Sequence, residues 1–461
     1  MSIFYAFFRT ALSLGILLNF THTILAQESR ESIEAVTKWL KINSLAIQNI
    51  EPGRGFADLQ PLKKIFREVR IIGLGEATHG TREFFLFKHR LLEFLVKEMD
   101  VRVLAIETGY SSTSDINDYV MGKSVDAAQA LARQGFWPLD TSEMRAMLDW
   151  IRAYNVRVPA YKKVKFVGFD IHYNDVGKQK ILAYLRRAAP ERVTATETLF
   201  SIDIEKSLET AFFTKSQKER EAILGKLIEM RVKYYELLGF LTLNEVQLIN
   251  QTSVAEFNQI RDYARVLAQL ADASSQPLEV ADGPLRDYYM AENIKRIVDA
   301  EPQGTRVVVW AHNQHVSAGR ESEKYPYMGF HLRHFFSDAY YSIGFSFNQG
   351  SFQARNFDPK ANRELKQFSV GPAPEGSVDW YLARVGRKNY FIDLRHSTKN
   401  QNVVQWLTTS RPMRFIGLYY NAQAEKNYFI PTKLMREFDG IIFFDQTTPS
   451  HQLLESVEHG E

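Results

Sequence analysis

Acidic and imidazole side chains recur in this sequence at the ends of four short apolar runs. In chain order they are Glu76 and His79, then Glu107, then Asp170 and His172, and finally His312 and His315. Four of the eleven histidines of the chain are in this set. Carboxylates and imidazoles transfer protons near neutral pH, and several of them in one cleft are typical of an active site. We therefore predict one site in which a histidine does acid–base chemistry and the acids orient it.

The apolar runs that precede these side chains have the composition of buried strands. Rich in Val, Ile and Phe and without polar alternation, they span residues 69–75, 102–107, 164–170, 305–312, 340–347, 389–394 and 440–445. Stretches with helical spacing separate them, so we predict the α/β class, with a mostly parallel central sheet flanked by helices. In open sheets of this class, ligands bind beyond the carboxyl ends of the strands, where the acids and histidines stand.

Two further positions are candidates for substrate binding. Lys88 falls on the apolar face of the helix predicted over residues 81–99, and a lysine there needs an anionic partner such as Glu76 or Glu107. The alternative is a lysine whose ammonium group reaches solvent past its apolar neighbours. Asn313 could orient a substrate carbonyl, although capping of the backbone is the commoner role of a loop amide. We assign substrate binding to Lys88, Asn313, Asp170 and His172, and we interpret Arg286 and Asp287 as an ion pair at the start of a helix.

Composition and absent motifs exclude several classes of protein. The net charge of +3 and the lack of long basic blocks argue against a nucleic-acid partner. The chain has no cysteine, which excludes disulfides, thiolate zinc sites and cysteine nucleophiles. It also lacks the GxSxG, HExxH, phosphate-loop and dinucleotide motifs, so no cofactor is predicted.

The amino terminus has the three regions of a secretory signal peptide. Arg9 precedes an apolar stretch over residues 11–20, and Ala26 precedes a polar segment. We predict cleavage after Ala26 and a periplasmic or secreted protein, with an uncleaved N-terminal anchor as the alternative. The mature chain, residues 27–461, is predicted to be one catalytic domain without a membrane span. A helical insertion or cap is predicted over about residues 176–282, where the strand pattern disappears. The oligomeric state stays undetermined.

These motifs together resemble those of the erythromycin esterase family. The matching segments, in the family's order, are GLGEATHGTREFF, FKHRLLEFL, LAIETGY, INDYV, WPLDTSEMRAMLDWIRAYN, VKFVGFDIHY, RDYYMAENI, VVVWAHNQHVS, MGFHLR, YYSIGFSFNQGSF, RFIGLYY and FDGIIFFDQTTP. They cover nearly all of the chain after about residue 65, and GEATHG together with AHNQH is the most specific pair. The resemblance implies an erythromycin esterase-like fold and a carboxylic ester hydrolase, with a macrolide antibiotic as a candidate substrate.

The resemblance also implies roles for individual residues. It matches His79 to the proposed general base that activates water for lactone cleavage, and it matches the remaining site positions to Glu76, Glu107, His312 and His315. One position departs from the family, because antibiotic-degrading members tend to have an arginine where this chain has Lys88. A lysine keeps the charge but lacks the bidentate fork of a guanidinium group.

The predicted mechanism is metal-independent hydrolysis of a small-molecule ester or lactone. His79, oriented by Glu76 or Glu107, would deprotonate a water that attacks the carbonyl. His312 or His315, with Lys88, would stabilise the oxyanion or protonate the leaving alkoxide.

Three alternatives stay open on the sequence. The histidines and glutamates of the set are an adequate ligand set for zinc or manganese, which would make the protein a metallohydrolase. An exported protein that binds haem or carbohydrate without turnover is a second alternative. An enzyme that processes an ester of an envelope polysaccharide is the third.

Overall fold

The computed structural model describes residues 29–453 apart from 125, 278–282, 320–325, 358–362 and 397, so the predicted signal peptide lies outside the described residues. The strands are β1 (Ser44–Ala46), β2 (Ile71–Leu74), β3 (Val101–Gly109), β4 (Lys165–Asp170), β5 (Arg306–Trp310), β6 (Tyr340–Asn356), β7 (Leu365–Val370), β8 (Asn389–Asp393), β9 (Arg411–Arg414), β10 (Tyr419–Tyr420), β11 (Phe429–Thr432) and β12 (Gly440–Thr447). Each of the seven apolar runs forms a strand, as predicted.

The helices precede and separate these strands. They are α1 (Arg30–Asn43), α2 (Leu62–Ile65), α3 (Arg82–Glu98), α4 (Ser114–Val120), α5 (Ala127–Arg133), α6 (Ser142–Asn155), α7 (Asp175–Ala188), α8 (Val193–Phe200), α9 (Ile204–Phe213), α10 (Gln217–Leu243), α11 (Glu245–Gln251), α12 (Val254–Ser274), α13 (Pro284–Asp299), α14 (Asn313–Val316), α15 (Met328–Phe336), α16 (Val378–Ala383), α17 (Gln401–Thr408) and α18 (Leu434–Glu437). Among the described residues, no helix is long and apolar enough to cross a membrane.

Ten of the strands form one mixed sheet. Its order is β1-β8-β12-β6-β2-β5-β3-β4, and β7 and β10 also pair with β6. The run from β12 to β4 is parallel throughout, whereas β8 is antiparallel to both of its neighbours. Strands β9 and β11 form a separate antiparallel pair. The predicted class, a mostly parallel sheet flanked by helices, is confirmed.

The central strands are buried on both faces because alternate side chains enter opposite cores. In β5, Val308 and Trp310 pack in the core that contains residues of α3, and Val307 and Val309 pack in the core that contains residues of α13. A strand covered on both faces has no polar positions to alternate with, which explains the continuous apolar runs of the sequence.

The segment between β4 and β5 is helical and has a core of its own. Helices α7 to α12 bury a separate group of apolar side chains, among them Tyr184, Tyr234, Phe257 and Leu267. Three of the helices in this segment start at residues that cap them, because the side chains of Asp203, Ser216 and Ser253 each accept a hydrogen bond from the backbone N–H three residues on. We call residues 175–274 the helical insertion.

Candidate active site

Four adjacent parallel strands end at the same edge of the sheet. Leu74 of β2 pairs with Trp310 of β5, Trp310 pairs with Ile106 of β3, and Ile106 pairs with Gly168 of β4. Because the strands run in register, the residues that follow them leave the sheet side by side. The structure thereby brings together the acids and histidines that the sequence places after four separate runs.

His79 is held by Glu76 in the loop after β2. The Nδ1 atom of His79 lies 2.6 Å from Oε1 of Glu76, and both side chains are buried. Lys88 and Trp310 donate to the other carboxylate oxygen, Oε2, at 2.7 Å and 2.6 Å. Burial alone would raise the pKa of Glu76, but the Lys88 ammonium and the His79 ring lower it, so the carboxylate is ionised. An ionised acceptor at Nδ1 places the proton of a neutral His79 on Nδ1 and leaves Nε2 as an acceptor.

Lys88 does not reach solvent. Its side chain is fully buried, and its ammonium group lies 4.0 Å from the centre of the Trp310 ring. Burial lowers the pKa of Lys88 to about 8, against the opposing effect of the Glu76 carboxylate. Of the two interpretations left open by the sequence, the lysine with an anionic partner is confirmed, and that partner is Glu76.

The His79 loop turns sharply at Gly80. Its carbonyl accepts hydrogen bonds from the backbone N–H groups of Gln353 and Ser450. A Cβ atom at position 80 would collide with the carbonyl oxygen of Gln353, so only glycine fits this close approach. The loop is thus fixed by backbone contacts from β6 and from the segment after β12.

His312 has the opposite proton arrangement to His79. Its Nδ1 accepts a hydrogen bond from the backbone N–H of Gln314 at 3.3 Å, so a neutral His312 carries its proton on Nε2. Burial, together with the nearby His79 ring, lowers the pKa of His312 to about 3 and keeps the ring neutral. The His79 and His312 rings lie 5.3 Å apart between centroids. Neither Nε2 atom has a hydrogen-bond partner within the part of the chain that the structure describes.

His315 lies between two carboxylates. Its Nδ1 is 2.8 Å from Oδ1 of Asp287, and its Nε2 is 3.3 Å from Oε1 of Glu107. Burial opposes the charged form, but the two carboxylates outweigh it and raise the pKa of His315 to about 10. Glu107 uses its second oxygen to accept the backbone N–H of His312 at 2.8 Å. Its pKa is lowered, because the charge of His315 outweighs the effect of burial.

Asp170 and His172 lie on the side of the site nearest the helical insertion. Arg286 donates to both carboxylate oxygens of Asp170, at 3.1 Å and 2.6 Å, and lies 3.5 Å from Glu107. Nδ1 of His172 lies 3.0 Å from Oε1 of Glu205, a residue of α9.

The side-chain amide of Asn313 is engaged with the backbone. It donates to the carbonyl of Phe345 and accepts from the N–H of the same residue, at 2.8 Å and 2.9 Å. These contacts tie α14 to β6, and the sequence prediction that Asn313 binds substrate stays a prediction.

The structure adds residues that sequence reasoning did not assign to the site. Arg286 contacts Asp170 and Asp287 contacts His315, whereas their interpretation as an ion pair at the start of a helix stays a prediction. The sequence did contain a signal for these two residues, because both lie in RDYYMAENI, one of the segments that resemble the family. Glu205, by contrast, stands in the helical insertion without any motif.

The acids and histidines of the site contact one another. Within the described ranges, no group of three or more histidine, aspartate or glutamate side chains is placed to hold one ion. Both ring nitrogens of His315 face carboxylates, and Nδ1 of His79 faces Glu76.

Comparison with known proteins agrees with the fold. The profile of the family described as erythromycin esterase matches residues 96–447. The chain is 23% identical to an erythromycin esterase type II from Escherichia coli over 91% of this chain and 99% of that protein. It is 25% identical to a putative hydrolase, YbfO, from Bacillus subtilis, over 85% and 87% of the two chains. A mutant erythromycin esterase solved in an open conformation has the same fold, with a TM-score of 0.62 at 18% identity over 87% of this chain and 96% of that one.

Proposed function

The chain belongs to the erythromycin esterase family, and from that membership we propose that it is a hydrolase that cleaves an ester or lactone of a small molecule with water activated by His79. One observation carries the proposal. Two buried imidazoles face each other at 5.3 Å between centroids, and their free Nε2 atoms have opposite proton roles. Hydrolysis of an ester needs both a proton acceptor for water and a hydrogen-bond donor for the carbonyl oxygen.

His79 is the base of this mechanism. Its Nε2 accepts a proton from water as the oxygen adds to the carbonyl carbon, and the resulting imidazolium is stabilised by Glu76. When the tetrahedral intermediate collapses, the same proton passes from His79 to the departing alkoxide. One water is consumed, and one acid and one alcohol are formed.

His312 donates to the oxyanion. Its Nε2–H is fixed by the hydrogen bond at Nδ1, and the ring stays neutral because burial disfavours its charged form. A preorganised donor in a buried site stabilises developing charge strongly, since no solvent has to reorganise. His315 and Lys88, the other candidates for this role in the sequence, both contact carboxylates, so the proposal assigns them to support the site.

We extend the proposal to substrate class and location. A macrolide lactone is the first candidate substrate, because a relative is an erythromycin esterase. The signal-like amino terminus supports export, with cleavage after Ala26.

The test is an assay of purified residues 27–461 with erythromycin, a simple lactone and a simple aryl ester. We expect the chain to hydrolyse one or more of them, and mass spectrometry to detect the ring-opened or cleaved product. We also expect the rate to survive dialysis against a chelator. A rate that disappears on chelation and returns with zinc or manganese would favour the metallohydrolase. Haem or carbohydrate binding without any turnover would overturn the enzymatic proposal.

A further inference from the structure

We propose that Asp287 is a positioning residue of this site, which makes His315 a permanent cation and through it fixes the oxyanion donor. The inference rests on the proposed function only for the role of His312. The arrangement of Asp287, His315 and Glu107 stands on geometry. In this arrangement His315 is not an acid or a base in turnover, although it stands in the same AHNQH motif as His312.

Both nitrogens of His315 face carboxylates. Nδ1 meets Asp287 at 2.8 Å, and Nε2 meets Glu107 at 3.3 Å. A neutral imidazole has one N–H, so it would leave one lone pair against a carboxylate. Only the imidazolium presents an N–H to both carboxylates, as a hydrogen bond to Asp287 and as an ion pair with Glu107. All three side chains are buried, so solvent cannot replace either partner.

The charged groups around His315 are consistent with a ring that stays protonated. Arg286 lies 3.5 Å from Glu107 but donates two hydrogen bonds to Asp170, so its charge is shared between two carboxylates. The group facing His315 from α13 is Asp287 and the group from β3 is Glu107. His312 and His79 also lie near enough to affect the local charge balance. The raised pKa of His315, about 10, follows from this surplus of carboxylates.

The cation sets the position of His312 through Glu107. One oxygen of Glu107 faces His315, and the other accepts the backbone N–H of His312 at 2.8 Å. Asp287 also accepts the backbone N–H of Met328 at 2.7 Å, which attaches the start of α15 to the same point. Asp287, a residue of α13, therefore connects that helix to α14 through His315 and to α15 through Met328.

The test is Asp287→Asn, which keeps Oδ1, the oxygen that contacts His315 and Met328, and replaces the other oxygen with an amide NH2, so that the charge is removed. In nuclear magnetic resonance spectra of histidine-labelled wild type, we expect His315 to stay an imidazolium from pH 6 to pH 9. In the variant it should titrate within this range, and kcat at pH 8 should fall roughly 10- to 100-fold, with recovery as the pH is lowered. Asp287→Glu, which restores the charge, should keep the imidazolium. Asp299→Asn, at the exposed end of the same helix, should change neither readout.

Three results would overturn the inference. A neutral His315 at pH 7 in the wild type refutes the fixed cation directly. An unchanged titration in Asp287→Asn refutes the role of Asp287, and an unchanged kcat with a shifted titration refutes the link to His312. Should Asp287→Asn fail to fold, the wild-type titration and Asp287→Glu decide the matter. If instead no ester is hydrolysed by the wild type, the proposed function fails while the titration still tests the cation.

Discussion

Three histidines in this site share the same type of side chain but differ in the partners of their ring nitrogens. His79 meets a carboxylate at Nδ1, His312 meets a backbone N–H at Nδ1, and His315 meets carboxylates at both nitrogens. The partner of each ring decides whether it accepts, donates or stays charged. Chemical roles at the residue scale are therefore set by neighbours and not by residue type.

His79→Ala should abolish most turnover while the fold is retained. Loss of a positioned general base typically costs roughly 10² to 10⁴ in rate. Rates and circular dichroism measured on this variant and on His334→Ala check the expectation, because His334 is exposed on α15. His89 is not a suitable control position, because its side chain is buried against Trp150 and its replacement would disturb the packing. Near-normal turnover in His79→Ala would remove the base from the mechanism.

Lys88 should matter through Glu76 and not through contact with substrate. Lys88→Met leaves a buried carboxylate without its cation, so kcat should fall roughly 10- to 100-fold with little change in KM.

A pH profile separates the charge of Lys88 from its size. With its pKa lowered to about 8 by burial, Lys88 loses its proton above that pH, so wild-type activity should decline there. Lys88→Arg keeps its charge, so any activity it retains should persist to higher pH. An alkaline decline that is identical in Lys88→Arg would contradict this assignment.

At the scale of elements, one helix of the insertion is fastened to the end of β4. Glu205 of α9 contacts Nδ1 of His172 and accepts the backbone N–H of Tyr173, both at 3.0 Å. Tyr173 has a φ of 57°, a left-handed conformation that a tyrosine adopts only when its surroundings hold it. The glutamate therefore stabilises a strained turn at the edge of the site.

Glu205→Ala should loosen this edge of the site. We expect KM to rise several-fold with a smaller change in kcat, because the turn shapes the wall of the site and does not touch the reacting atoms. Hydrogen exchange of residues 204–213 should become faster, as local unfolding no longer breaks these contacts. Glu197→Ala, on the exposed face of α8, is the matched control. Unchanged exchange in Glu205→Ala would show that other contacts hold α9.

At the scale of the whole molecule, buried neutral histidines should make the fold sensitive to acid. Burial lowers the pKa of His89 to about 4, and the pKa of His312 is about 3, whereas both are about 6.5 in an unfolded chain. Between these values the unfolded chain binds more protons than the folded one. The free energy of unfolding should therefore fall as the pH drops below 6.5, by up to about 1.4 kcal/mol per pH unit for each histidine.

Urea unfolding between pH 7 and pH 4 measures this slope. His89→Gln removes one titrating group and should flatten the slope, whereas His334→Gln should leave it unchanged. Below about pH 5.5 His315 adds nothing to this slope, because its ring is protonated in both the folded and the unfolded chain there. A slope that His89→Gln does not alter would mean that His89 titrates normally in the folded protein.

The sequence by itself showed the seven apolar runs, because a strand that is buried on both faces has a continuous apolar composition. It also showed the acids and histidines, because they directly follow these runs in the chain. One rule of sheet topology then placed those residues at a common edge. The lysine at position 88 was identifiable as well, since helical spacing put it on an apolar face.

Only the tertiary structure decided which groups meet. Arg286 reaches Asp170 across 116 residues, and Glu205 reaches His172 from the helical insertion. The antiparallel edge of the sheet, β8 with β1, depends on the same long-range packing. The sequence left open whether Glu76 or Glu107 orients His79, because the spacing of two acids along a chain carries no information about hydrogen-bond geometry. The proton positions on the rings of His79, His312 and His315 follow from their hydrogen-bond partners. They could therefore be assigned only from the tertiary structure, which places the ends of the strands side by side.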